Sequence, residues 1–187
     1  MPSDAVSPPA IAPSTGEAAR HPLDDVVWNA LHGPHRSLAE GGDEGGERAC
    51  RDPAAVAPFA AVVDLEPEAF RSLGALIGPG GDQIALLSTA PLRLPPTFAV
   101  FRQEPIDQMV LIDREACMAP ATTAFARLGR EDVAEMLTLT GITQPGPFGP
   151  RTIELGTYLG ARRDGTLAAM AGERLQTGGS RKSAPSA

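Results

Sequence analysis

The chain has 187 residues, 42% of them hydrophobic but only 4% aromatic, which is enough for one medium-sized domain with a core built largely from small and aliphatic side chains. With 16 basic against 23 acidic residues the net charge is −7, which argues against a nonspecific grip on nucleic-acid phosphates. No apolar run reaches the roughly 20 residues of a membrane span, and Cys50 and Cys117 stand far apart without a CxxC or a signal sequence; reduced thiols in a cytoplasmic protein are expected.

Residues 1–22, rich in Pro, Ser and Ala without periodicity, read as a disordered leader. "LDDVVWNALHGPH" predicts a short helix capped by Asp24 or Asp25, with Val27, Trp28 and Leu31 clustered, ended by Gly33-Pro34. The acidic "EGGDEGGE" is a loop. "VAPFAAVVD" is a strand, and Glu66-Pro67 starts a helix with Phe70, Leu73, Leu76 and Ile77 at helical spacing, stopped by "GPGGD". That stretch lacks the Lys-Ser/Thr of a phosphate-binding loop and is read as a turn. "QIALLS", "TFAVFRQ" and "DQMVLI" have the composition of three further strands, so residues 24–120 form an N-terminal α/β subdomain of their own or join one shared sheet.

A second unit spans residues 121–175. "TAFARLG" is strand-like, and "REDVAEMLTLTG" is an amphipathic helix with Val133, Met136, Leu137 and Thr140 on one face and Gly141 past its end. "ITQPGPFGPRT" is a Gly/Pro loop. "TYLGARRDGTLAAMAGERL" is a hairpin, because Asp164-Gly165 is a favoured two-residue turn between strand-like flanks. Arg162 and Arg163 beside the turn are expected to be solvated. From Arg151 onward there are 6 basic and 3 acidic residues, against 10 and 20 before it, so this end is locally basic. His32-x-x-His35 offers two nitrogens, but no third ligand is fixed by spacing, so a helix-ending loop is favoured over a metal site. Cys117 has no patterned histidine partner.

"TAFARLGREDVAEMLTLT" followed by "PGPFGPRTIELGTYLGARRDGTLAAMAGERL" resembles the first strand, first helix, substrate loop and second and third strands of the GNAT family of N-acetyltransferases, in a bacterial branch with an extra N-terminal region like "VWNALHGPHRSLAEG" and "VAPFAAV". The resemblance covers most of residues 24–175, and its specific parts are "GPFGPRTIELGTYLG" and "MAGERL". It implies an α/β (α+β) fold with a mixed, mostly antiparallel sheet flanked by helices, in which residues 121–175 supply the N-terminal half of the domain. It also implies acetyl-CoA as co-substrate and a small-molecule or peptide amine as acceptor. Glu173 is the catalytic candidate that would take the amine proton, and Phe148 and Tyr158 are the substrate-binding candidates.

The family continues with a splayed strand and an R-x-x-G-x-G or R-x-x-G-x-A loop whose backbone amides hold the acetyl-CoA diphosphate. No such motif follows the hairpin, and residues 176–187 are a polar tail. The expectation is therefore a fold incomplete at its C-terminus, a chain that by itself does not bind acetyl-CoA, and possible self-association through an unpaired strand edge. The alternative is a non-catalytic remnant or interaction module pairing through that hairpin edge. One codon choice for Arg181–Ala187, read from its third base, encodes E-I-S-A-V-S, the family's next strand, and Lys182 is the single lysine of the chain. A shifted frame near Gly179 and Ser180 predicts that the coding DNA carries an E-I-S-A-V reading in another frame; sequencing the locus checks it, and its absence removes the frameshift.

Overall fold

A computed structural model of the chain describes residues 23–42, 48–78, 80–111 and 124–178. Two small sheets organise it. In the first, β1 (Glu40–Gly41), β2 (Ala49–Arg51) and β3 (Phe59–Val62) run antiparallel, and β4 (Ala85–Leu86) adds parallel to β3. Alternation along these strands decides which helix each residue meets. Ala49 and Ala60 face Phe70 and Leu73 of helix α2 (Pro67–Leu76), while Cys50, Phe59 and Ala61 face Val27 and Leu31 of helix α1 (Val26–Leu31). The small alanines let α2 lie close to the sheet, and Phe98 meets Phe70 edge-on at 6.2 Å.

The helix signals act much as the sequence suggests. Pro67 occupies the first turn of α2, where its missing N–H costs nothing. Asp25 sits at the start of α1 but makes no side-chain capping bond there, contrary to expectation. His32 and Gly33 close that helix by donating their amides to the carbonyls of Trp28 and Ala30. The "GPGGD" turn is held from outside: buried Arg51 donates to Asp82 at 2.7 Å and to the Leu76 carbonyl at 3.3 Å, and pairs with Glu40 at 3.2 Å. One guanidinium thus ties β1, the end of α2 and the following loop. Asp82 is pulled below the ordinary carboxylate range chiefly by its hydrogen bond to Arg51.

The second sheet has β5 (Ala126–Arg127), β6 (Tyr158–Arg163) and β7 (Thr166–Gly172) in that order, all antiparallel. Asp164 and Gly165 have φ of 52° and 81°, as the two-residue hairpin turn requires. Helix α3 (Val133–Thr143) sets Met136 against Leu128, Tyr158 and Leu167. Arg162 is not simply solvated: it reaches Asp132 and Glu135 at the start of α3 and also the Gly165 carbonyl, clamping the hairpin to the helix.

The mixed, mostly antiparallel α/β architecture with flanking helices is as expected, but strand extents differ. "QIALLS" contributes only Ala85–Leu86 and "TAFARLG" only Ala126–Arg127. "TFAVFRQ" and the described part of "DQMVLI" form no strand with a partner among the described residues: Thr97 and Phe98 lie in a turn, and Phe101 is 71% and Met109 92% exposed. β-type composition cannot make a ladder without a neighbouring backbone. Helix α3 runs through Gly141 to Thr143, and Gln144 closes it in the left-handed region with φ 47°. The leader 1–22, most of the tail, Cys117 and the expected boundary near residue 120 lie outside the described residues.

The two sheets are joined by the turn after β2 and the loop before β6. Thr152 Oγ1 donates to the Val56 carbonyl at 2.5 Å and accepts from the Gly149 N–H at 2.7 Å, and the Arg151 N–H donates to the Ala55 carbonyl at 3.0 Å. Around them Val56, Ala57 and Leu155 form a buried cluster with Leu38 and Phe59. A Cβ on Gly149 would sit 2.5 Å from the Ala55 carbonyl oxygen, so only glycine permits this approach. Leu175, beyond β7, packs into the α1 cluster. Thr152→Val keeps the volume but leaves the Val56 carbonyl and Gly149 N–H unsatisfied; urea unfolding is expected to show a loss of about 2–4 kcal/mol.

Candidate functional site

The register of the hairpin assembles the three candidate residues at one corner. Tyr158 opposes Gly172, so the next pair along sets Glu173 opposite Thr157. Gly172 has no side chain to obstruct the Tyr158 ring; a Cβ there would lie 2.1 Å from a ring carbon. Phe148, carried by the Gly/Pro loop, meets Tyr158 edge-on with ring centres 5.9 Å apart and planes at 87°. The loop is positioned by Thr152 four residues on, so the seam between the sheets also sets this aromatic pair.

Glu173 is bound to the backbone on both sides of this corner. Its N–H donates to the Thr157 carbonyl at 3.1 Å, and its Oε2 accepts from the Thr157 N–H at 2.8 Å and from Gln176 Nε2 at 3.2 Å. Gln176 Nε2 also lies 3.4 Å from the Leu155 carbonyl. A Cβ on Gly156 would fall 2.6 Å from that of Glu173, so Gly156 lets the carboxylate side chain fold against the chain. This geometry makes Glu173 a strut, and proton transfer would require it to share or release the Thr157 amide. Tyr158 is 3% exposed with a buried hydroxyl that has no hydrogen-bond partner among the described residues. Burial raises its pKa; Arg174 opposes that and Glu173 adds to it. The Tyr158 ring therefore belongs to the core under α3, with Phe148 packed edge-on against it and the Glu173 carboxylate beside it at this corner.

The histidines do not converge. His32 is exposed, stacks on Trp28 with ring centres 3.9 Å apart, and its Nδ1 donates to the Trp28 carbonyl at 3.0 Å. His35 is buried near Leu155, and burial lowers its pKa against a smaller opposing effect of the Leu155 backbone. Among the described residues no three His, Cys, Asp or Glu side chains group as metal ligands. The Cys50 thiol is buried and pushed up to about 12, first by burial and then by Asp52, so it is not a nucleophile at neutral pH.

Two features carried no sequence signal. One is an open cleft of ≈ 500 Å³ along α1, lined by Asp25, Trp28, Asn29, His32 and Val62. The other is Asp52, 1% exposed at the start of the turn that meets Thr152, with both carboxylate oxygens lacking hydrogen-bond partners among the described residues. Burial raises its pKa to about 6, partly opposed by Arg51. Nothing in "RDPAA" announces this, because burial depends on what folds over the turn.

No protein-family model and no curated protein matches the chain. Among solved structures it is similar to an acetyltransferase candidate of the GNAT family from Novosphingobium aromaticivorans, with 34% sequence identity and a TM-score of 0.62. The match covers 84% of this chain, and the chain spans 66% of the length of that structure.

Asp52 gives a pH dependence with a definite sign. Its folded pKa lies above the ordinary 3.8, so its contribution to stability is fully present below that value and is lost as pH rises through about 6. Asp52→Asn removes the charge, and the stability of the variant relative to the parent is expected to rise by about 2 kcal/mol between pH 4.5 and 7.5 in denaturant titrations. Any titration of His35 is common to both proteins and cancels.

Proposed function

Because the chain belongs to the GNAT fold family, we propose that it derives from an enzyme transferring acetyl from acetyl-CoA to an amine, and that these residues supply the acceptor side. The reading rests on the likeness at 34% identity to a GNAT-family acetyltransferase candidate over 84% of the chain. In this reading Phe148, backed by the buried Tyr158 ring, takes the apolar part of a small-molecule or peptide amine, and Glu173 holds or deprotonates its nitrogen. The family places its acceptor beside these central strands. The activity is cytoplasmic and needs neither nucleic acid nor membrane. No helix of the described residues is long and apolar enough to cross a membrane.

The described residues do not suit the diphosphate of acetyl-CoA. Anions settle where several helix-terminal amides point outward together. Here Asp24 and Asp25 precede α1, Glu66 and Glu68 flank Pro67 at the start of α2, and Glu131, Asp132 and Glu135 crowd the start of α3. The Gly129 N–H, which could face an anion, already donates to Asp132 at 2.8 Å. Each helix start carries acidic charge that repels a phosphate. In this reading the 187 residues are not competent for acetyl transfer alone.

A second reading draws on β7, which has a paired strand on one side only among the described residues: a non-catalytic interaction module that pairs through the hairpin edge. Titration calorimetry separates the two properties. Acetyl-CoA added to this chain is expected to give no saturable heat up to about millimolar concentration, near the weak limit of useful affinity. Micromolar binding would contradict the assignment of these residues to the acceptor side only.

A further inference from the structure

Asp52 is almost fully buried, and neither of its carboxylate oxygens has a hydrogen-bond partner among the described residues. Its main chain is pinned: the amide donates to the Phe59 carbonyl at 2.9 Å, and the carbonyl accepts from Arg51 Nε at 3.1 Å. The Arg51 guanidinium is otherwise committed to Asp82 at 2.7 Å, to the Leu76 carbonyl and to Glu40 at 3.2 Å, so it bonds the Asp52 main chain and not its carboxylate. Among the described residues the other titratable groups around the turn supply no counter-ion. Glu40 on β1 repels an ionised Asp52, and the Cys50 thiol on β2 stays protonated. On the loop before β6, Arg151 and Glu154 bond each other at 3.0 and 2.8 Å on the exposed side. His35, buried beside the Leu155 backbone, is held toward its neutral form.

The turn that follows Asp52 carries the seam between the sheets. The Pro53 carbonyl accepts the Val56 and Ala57 amides at 2.8 and 3.2 Å, which shapes the turn, and the Ala55 and Val56 carbonyls accept from the Arg151 N–H and from Thr152 Oγ1. Because the Asp52 main chain is tied to the end of the β2–β3 ladder, an ionised carboxylate gains water most readily when the segment docked on the turn moves away. We propose that the proton on Asp52 latches this seam: while the carboxyl is neutral, loop 149–155 stays docked on turn 53–57, and loss of the proton favours a local opening in which the loop lifts and takes Phe148 off Tyr158 with both sheets still folded. The latch is independent of the acetyl-transfer reading; it governs when the corner is assembled, whatever that corner binds. Its direction follows from burial. The carboxyl sits at about 6 in the closed form against an ordinary 3.8 when exposed, so the advantage of the closed form is fully present below 3.8 and is lost as pH rises through about 6. Opening is a brief excursion from the native state, of the kind that amide exchange detects.

Amide hydrogen exchange followed by NMR on the full 187-residue chain tests this, each rate being divided by the intrinsic rate at the same pH. The Arg151 and Gly149 amides report the seam, while the Leu128 amide, bonded to Tyr158, and the Val63 amide, bonded to Arg48, report the two sheets. From about pH 5 to 7.5 the seam amides are expected to lose protection about tenfold relative to the other two, the factor by which a group at about 6 when closed and 3.8 when open moves the equilibrium over that range. Asp52→Asn is expected to abolish the change, and the titration of His35, common to both proteins, cancels. An equal loss at all four amides overturns the local opening in favour of a weakening of the whole fold. A tenfold loss that persists in Asp52→Asn overturns Asp52 as the latch. Constant relative protection in the parent chain overturns the proposal by itself, whether or not the variant folds.

Discussion

A threonine hydroxyl stands at the centre of the contacts that hold the two sheets of this molecule in one arrangement. Thr152 Oγ1 bonds the Val56 carbonyl and the Gly149 N–H, one group on each side of the junction, and is itself 1% exposed. In water either group would find a partner easily. Within the Val56–Leu155 cluster there is none to spare, so the geometry that satisfies both is strongly preferred. The Gly/Pro loop is thereby fixed at its C-terminal end, Phe148 is delivered onto Tyr158, and the start of β6 is set against the corner where Glu173 folds back.

That dependence explains why the candidate corner is better built for holding than for reacting. Tyr158 has a buried hydroxyl with no partner among the described residues, and Glu173 commits an oxygen to the Thr157 amide. The glycines at 156 and 172 remove the two Cβ atoms that would otherwise keep strand and side chain apart. In the proposed reading, Phe148 on its rigid Tyr158 backing, with a carboxylate beside it, orients an amine. Activation of a thioester needs groups of opposite character, amides presented to a diphosphate, and every described helix start is acidic instead. The proposed division between an acceptor and a donor side thus draws on charge as well as family likeness.

Local chemistry was readable in the sequence, and long-range partnership was not. The Asp164-Gly165 turn, Pro67 at the start of α2 and the Phe70/Leu73 stripe are set by neighbours a few residues away, and they stand where the sequence puts them. Residues 97–103 have as much strand character as β3, yet in the described structure no backbone lies beside them to complete a ladder. Gly141 fails to end α3 because Thr140 and Thr143 return their hydroxyls to the carbonyls of Met136 and Leu139, and Gln144 supplies the left-handed residue. The corner itself was legible through resemblance, since Phe148, Tyr158 and Glu173 were named from the loop and hairpin. The Arg162 fork to Asp132 and Glu135 and the burial of Asp52 arise from segments 27 or more residues apart in contact or folded over one another, and periodicity carries no record of them.

The chain has a built-in reporter on each side of the junction: Trp28, its only tryptophan, on α1, and Tyr158, its only tyrosine, on β6. The most direct test of the Thr152 seam is a urea titration followed by Trp28 fluorescence and by the near-ultraviolet circular dichroism of Tyr158 in the same samples. If the seam makes one cooperative unit of the two sheets, both signals share a single midpoint and slope. Loss of the tyrosine signal at a urea concentration where the tryptophan signal is still native would contradict it.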